Sequence, residues 1–189
     1  FPERYLCEWL RTKNFDNKIY CFKRCGTSQL KESYNTLVDK FKIDTILLVD
    51  GGTDSLLRGV EADLGTPDED MTSIAAVSQI EVERKILASI GFGVDAFHGV
   101  CHSHVLSMIA EQIKREGYLG AFSLMNTMEE VKLFSSAAKY VFRKMPEATS
   151  IVVSSIISAL EGEFGDYQVT ERTEGSKLFI NPLMSLYWF

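Results

Sequence analysis

Apolar positions along this chain fall into two alternating patterns, stretches at helical spacing and short continuous runs. Tyr5, Leu6, Trp9 and Leu10 recur at helical spacing and predict a helix near the start. A short β-branched and aromatic run at 18–22 predicts a strand. Gly26-Thr27-Ser28 opens a second helix, with Leu30, Tyr34, Leu37, Val38 and Phe41 on one face. The run at 45–49 is apolar without alternation and ends at Asp50. A strand buried on both faces has this pattern, so it is expected at the centre of a parallel sheet.

The alternation continues downstream. A helix is expected over 71–79 and a second buried strand over 86–90, closed by Gly91-Phe92-Gly93. Residues 101–117 are amphipathic and stop at Gly117; 118–124 predict a third strand, and 128–145 a long helix ended by Pro146. Periodicity does not decide between helix and strand for 151–160, and 161–174 is polar and loop-like. Strands alternating with helices imply right-handed crossovers. The expectation is one α/β domain over 1–189, a three-layer, Rossmann-like, doubly wound and mostly parallel sheet. In such folds ligands bind beyond the carboxyl ends of the strands.

Composition narrows the partner. The net charge is −6, with Lys and Arg dispersed, which argues against a nucleic-acid backbone or an anionic membrane surface. No apolar run approaches the roughly 20 residues that span a bilayer, and Glu3, Arg4 and Glu8 interrupt any signal peptide. Cys7, Cys21, Cys25 and Cys101 offer no second closely spaced pair for a zinc site, so they are read as buried free thiols of a reducing, cytoplasmic compartment. The expected partner is a small-molecule ligand, with no nucleic acid, no membrane, and a homo-oligomer left open. Phe1 falls inside a helical pattern and Trp188-Phe189 is an apolar pair that wants covering, which suggests a fragment lacking an amino-terminal element.

The candidate chemistry lies at the ends of the expected strands. Asp50-Gly51-Gly52-Thr53-Asp54-Ser55 follows the first buried run. Its glycines let backbone approach a ligand and form an anion nest, Thr53 and Ser55 add hydroxyls, and Asp50 and Asp54 are acceptors or metal ligands. A tight turn capped by Asp54 explains the same residues equally well, and no Walker lysine is present. The acids that follow, Glu61, Asp63, Asp68 and Asp70, surround a divalent cation or simply solvate a lid, and for each one alone the solvated reading is favoured. Arg58, alone between these acids, suits bidentate anion recognition.

All three histidines, His98, His102 and His104, fall within seven positions after Gly93, with Asp95 just ahead of them. Transition-metal ligation by His98 and His102 with Asp54 or Asp95 is one reading. His102 and His104 diverge if both are helical, so acid–base work by His98 or His102, oriented by Asp95, is the easier one. Cys101, at a helix start beside His102, is a candidate thiolate, although a buried small hydrophobe is the favoured reading. Ser123 and Asn126 line a crevice or cap the next helix.

Four stretches together resemble a known family: Leu48-Val49-Asp50-Gly51-Gly52-Thr53-Asp54-Ser55-Leu56, Leu64-Gly65-Thr66-Pro67, Gly91-Phe92-Gly93-Val94-Asp95-Ala96-Phe97-His98-Gly99-Val100-Cys101-His102, and Asn181-Pro182-Leu183. They are similar to the DUF1152 family, a domain of unknown function. The resemblance implies a Rossmann-like sheet and an amino-terminal glycine-rich loop that this chain lacks, and it supplies no reaction. Val60 stands where the resemblance implies an acid between Gly59 and Glu61, which implies weakened function if that acid binds metal or substrate.

The leading expectation is an enzyme, of hydrolase or transferase type, acting on a small anionic metabolite that is phosphorylated or nucleotide-like. Asp50, Gly51, Gly52, Thr53, Asp54, Ser55, Arg58 and Gly93 would cradle the ligand or a divalent metal ion, and His98, His102 and Asp95 would handle protons. The rival is a non-catalytic ligand-binding or regulatory module using the same loops.

Overall fold

The computed structural model describes residues 1–16, 18–66 and 68–189. Its frame is a four-stranded sheet in the order β1-β2-β4-β3, built from β1 (Thr45–Asp50), β2 (Arg84–Ile90), β3 (Ala121–Ser123) and β4 (Leu186–Trp188). β1 and β2 are parallel and pair residue for residue, from Thr45 opposite Arg84 to Asp50 opposite Ser89. β4 runs antiparallel to both of its neighbours. β1, β2 and β3 therefore share one direction, but only one of the three pairings is parallel. The expectation of a mostly parallel sheet is corrected here. Its cause is β4, whose three residues are too short to show a period.

β1 is also not central. It lies at the edge among the described strands, with Leu47 and Val49 about half exposed on one face. Its other face, carrying Leu48 and Asp50, meets α3 (Asp68–Ser78). The expected strand at 18–22 is absent among the described residues. Instead Phe22 sits edge-on to Tyr34 at 5.3 Å and Tyr20 tilts against Phe41 at 5.5 Å. The aromatic run is spent on packing against α2 (Thr27–Phe41), not on a backbone ladder.

The predicted helices form. α1 (Pro2–Thr12) starts with proline, whose missing N–H costs nothing in a first turn. It packs on α5 (Glu129–Lys144), where Trp9 Nε1 donates to Ser136 Oγ at 3.3 Å. α4 (His102–Lys114) follows the loop after β2. The ambiguous segment is α6 (Ile151–Glu161). Ser150 caps it by accepting from Val153 N, and Ser154, Ser155 and Ser158 return their hydroxyls to backbone carbonyls. Small polar residues are thereby buried inside an apolar helix without leaving unpaired groups.

Two apolar clusters flank the loop after β2. Phe92, Val100, Val105 and Ile109 form one, with Leu57 and Trp188 against it. Val94, Leu178, Ile180 and Met184 form the other, with Ile151 and Val152 of α6. Alternate residues of the loop enter opposite clusters, which fixes the backbone that carries Asp95. Among the described residues, no helix is long and apolar enough to cross a membrane. The cysteines are free, but none is buried, which corrects the expectation of buried thiols.

Candidate functional site

The site begins where β1 ends. The Asp50 side chain shares a strand face with Leu48 and is buried. Its Oδ2 accepts from Ser55 N at 3.3 Å and Ser55 Oγ at 2.5 Å. Asp54 opens a 3-10 turn, Asp54–Leu56, and its Oδ2 accepts from Thr66 N at 2.7 Å. That bond closes the intervening acidic loop back onto the strand end. Gly65 lies beside it at φ +68°, and a Cβ there would stand 2.8 Å from Asp54 Cβ. Both the conformation and the space demand glycine.

Asp70, in the first turn of α3, completes the cluster. One carboxylate oxygen each from Asp50, Asp54 and Asp70 lie within 4.8 Å of one another. From the 3-10 turn Val94–His98 in the loop after β2 comes Asp95, whose Oδ2 accepts from Thr53 N at 2.6 Å and Thr53 Oγ1 at 3.1 Å. A Cβ on Gly52 would stand 2.9 Å from both Asp95 carboxylate oxygens. Gly52 is thus explained by close approach of a carboxylate, and neither Gly51 nor Gly52 is in the left-handed region that an alternating-handed nest uses. Asp50, Asp54, Asp70, Asp95 and His98 line a cavity of about 220 Å³, with Ile151 and Val152 at the start of α6.

Burial and neighbouring negative charge raise the proton affinity of Asp50, Asp70 and Asp95. Burial, then the charges of Asp50 and Asp54, push Asp70 up to about 6. Burial also lifts Asp95 to about 6, against the opposing bond from Thr53. Asp50 is raised by burial and by Asp54, and partly restrained by Ser55. At a separation of 4 Å, each like-charge pair costs about 4 kcal/mol at an effective dielectric constant of about 20. Among the described residues, no Lys or Arg lines the cavity to offset this. An all-oxygen, multiply anionic set of this kind matches a hard divalent cation.

The candidate residues divide accordingly. Asp50, Gly51, Asp54, Asp95 and His98 line the cavity, while Gly52, Thr53 and Ser55 build its walls by the bonds above. Of the residues suggested as metal ligands, Asp50, Asp54 and Asp70 belong to the mutually close set; Asp95, His98 and His102 do not. No hydrogen bond among the described residues joins Asp95 to a histidine. His98 packs on Phe97, with ring centroids 4.5 Å apart. His102 leaves the cavity at the exposed start of α4, where it tilts on Phe92 at 4.9 Å and crowds Gly93; His104 is exposed. The reason is the helix start at His102, which turns the later histidines away from the strand end.

Arg58 also stands apart. It pairs with Glu111 of α4 and donates from Nε to Met108 Sδ at 3.0 Å. Val60 is exposed on the same loop, and Glu61 folds back to accept from the N–H groups of Arg58, Gly59 and Val60. Position 60 therefore faces solvent and not the carboxylates. Cys101 is exposed too, not a buried hydrophobe; Ser103 Oγ at 3.2 Å holds its thiol below the usual range. Asp70 is the residue whose importance the loop's acidity hides. Asp68 and Glu69 share its helical turn, and only the direction of its side chain, toward Asp50 and Asp54, separates it from them. Pro67, in one of the resembling stretches, lies outside the described residues.

A family model described as "Protein of unknown function (DUF1152)" matches residues 7–189. The chain belongs to this family. No curated protein and no solved structure matches it. The stretches that resemble DUF1152, at 48–56, 64–66 and 91–102, contribute every carboxylate of the cavity except Asp70. Membership in DUF1152 assigns no reaction to this chain, and the cavity is the feature that bears on its function.

Proposed function

We propose that this protein is an enzyme acting on a small anionic, phosphorylated or nucleotide-like metabolite, and that it does so through a divalent cation held by Asp50, Asp54 and Asp70. The observation that carries this reading is the mutual approach of those three carboxylates at the carboxyl end of a parallel strand pair. Without a cation, a cavity with this charge repels an anion; with one, the same carboxylates fix the ion that the phosphate oxygens need. A bound cation would neutralise negative charge as it develops on the ligand. His98, on the cavity wall beside Asp95, is the group placed to carry a proton, and Asp95, with its raised affinity, is a second. The common direction of β1, β2 and β3 also favours a Rossmann-like, doubly wound reading in which β4 is an antiparallel insertion.

The test is a melting-temperature panel of Mg²⁺ or Mn²⁺ alone, then with nucleotides and sugar phosphates. A ligand at a hundred times its dissociation constant adds about 2.7 kcal/mol, a readily measured shift. The expected result is a shift with cation, a larger one with cation and phosphate together, and neither in Asp54→Asn. Turnover lost in His98→Ala with ligand affinity kept supports the enzyme; ligand binding without turnover in the intact chain selects a binding module. A phosphate shift that needs no cation and survives Asp54→Asn defeats the reading.

A further inference from the structure

A second cavity, of about 440 Å³, lies between the sheet and α4. Ser55, which donates to Asp50, stands between it and the carboxylate cavity, and no residue lines both. Most of its wall is carbon, from Leu57, Leu87, Met108, Ile109 and the Trp188 ring. Its volume is within the range of about 300–1,000 Å³ usual for small-molecule sites.

Two polar atoms in this wall have no partner. Ser89 Oγ and Trp188 Nε1 expose almost no surface to the cavity, and neither makes a hydrogen bond among the described residues. An acceptor therefore reaches them only where the wall gives way. Ser89 is only 1 % exposed. The two residues are direct cross-strand partners in the β2–β4 pair, so their side chains leave the sheet on the same face. An indole N–H can only donate, and a serine hydroxyl can donate or accept. Buried polar groups in native proteins are nearly always paired, because an orphaned one carries its full desolvation cost. Two adjacent orphans in one cavity therefore point to an acceptor that comes from outside the chain.

We propose that this cavity binds a neutral, flat, largely apolar small molecule whose single carbonyl-type oxygen accepts from both Trp188 Nε1 and Ser89 Oγ. Neutrality follows from the rim. Lys85 and Glu116 are the charged side chains of the described lining and offset each other, so an anionic ligand gains no net attraction there. Met108 gives the apolar wall an adaptable element. The site needs no divalent cation, and its success or failure is independent of the carboxylate cavity.

The chain has two tryptophans, so an ¹⁵N-labelled sample gives two indole N–H resonances. Trp9→Phe leaves that of Trp188 alone, and Trp188→Phe leaves that of Trp9, so either variant that folds assigns both. Titration with acetophenone should move the Trp188 resonance downfield and saturate, while the Trp9 resonance stays. Ethylbenzene, of similar shape but without the carbonyl, should bind on the order of tenfold to a hundredfold more weakly, the worth of two hydrogen bonds. Ser89→Ala should weaken acetophenone binding severalfold. No movement at Trp188 up to the solubility limit of the probe overturns the proposal and leaves water as the partner of the two atoms. Equal affinity for ethylbenzene, or equal unsaturating shifts at both indoles, also overturns it.

Discussion

The two cavities are built on opposite deficits. In the carboxylate cavity three of the four carboxylates have partners: Asp50 has Ser55, Asp54 has Thr66 N, and Asp95 has Thr53. What it lacks is positive charge. In the cavity under α4 there is no excess of charge, but Ser89 Oγ and Trp188 Nε1 lack partners. A hydrogen bond cannot cancel net charge, and a cation cannot satisfy an indole N–H. The two deficits therefore call for different visitors, and each substitution that separates them tests both.

The largest effect is expected from Asp54→Asn. Removing one of three converging carboxylates should lower Mn²⁺ affinity on the order of a hundredfold, as read by calorimetric titration. The acetophenone shift at Trp188 should not change. Loss of both would mean the two cavities are not separate.

Gly65→Ala should cost stability without touching the second cavity. A left-handed backbone costs a residue with a side chain about 1–2 kcal/mol, and contact with Asp54 adds to that. A fall of about 2 kcal/mol or more in urea unfolding is expected. An unchanged midpoint would show that the 54–66 loop does not close on Asp54.

The pH dependence carries a sign that only the charged cavity can supply. Asp70 and Asp95 bind their protons up to about pH 6 when folded, above the ordinary value of 3.8. The folded state then holds more protons than the unfolded one between these values. The stability contributed by these two acids is present in full below about pH 4 and is lost as the pH rises through about 6. The melting temperature without divalent ions should carry this falling component, and Mn²⁺ should bind more tightly above pH 6 than below it. Mn²⁺ affinity that is flat across this window would remove Asp70 and Asp95 from the ion's surroundings.

The smallest effects form a matched pair. Ser55→Ala removes a hydroxyl that Asp50 uses and should destabilise by about 1 kcal/mol. Ser89→Ala removes a buried hydroxyl with no partner and should be neutral or stabilising by up to about 1 kcal/mol. Equal losses in both would mean that a water already serves Ser89.

The carboxylate cavity was largely legible in the sequence because its parts sit at strand ends, where a buried apolar run gives way to glycine and acid. Asp50, Asp54 and Asp95 needed only that rule. Asp70 was not separable from Asp68 and Glu69, since which acid of a first helical turn faces the strand depends on how α3 docks. His98 was not separable from His102 and His104, because proximity in sequence says nothing about a helix starting at His102 and carrying those two outward. The second cavity was invisible. It depends on Ser89 meeting Trp188, a pairing set by a three-residue strand with no readable period. β1 read as central because apolar composition records what a strand can pack against, and Leu47 and Val49 are half exposed here.

The placement of β4 also bears on how the molecule assembles. Ser89 and Trp188 are about a hundred residues apart along the chain, yet they meet in the interior of the sheet. Closing so long a loop costs entropy before any contact repays it, and topologies dominated by such contacts fold slowly. The β1–β2 pair and the helix between them are far more local. Refolding is therefore expected to be biphasic, with helix and the parallel pair forming early and Trp188 fluorescence reaching its native value last.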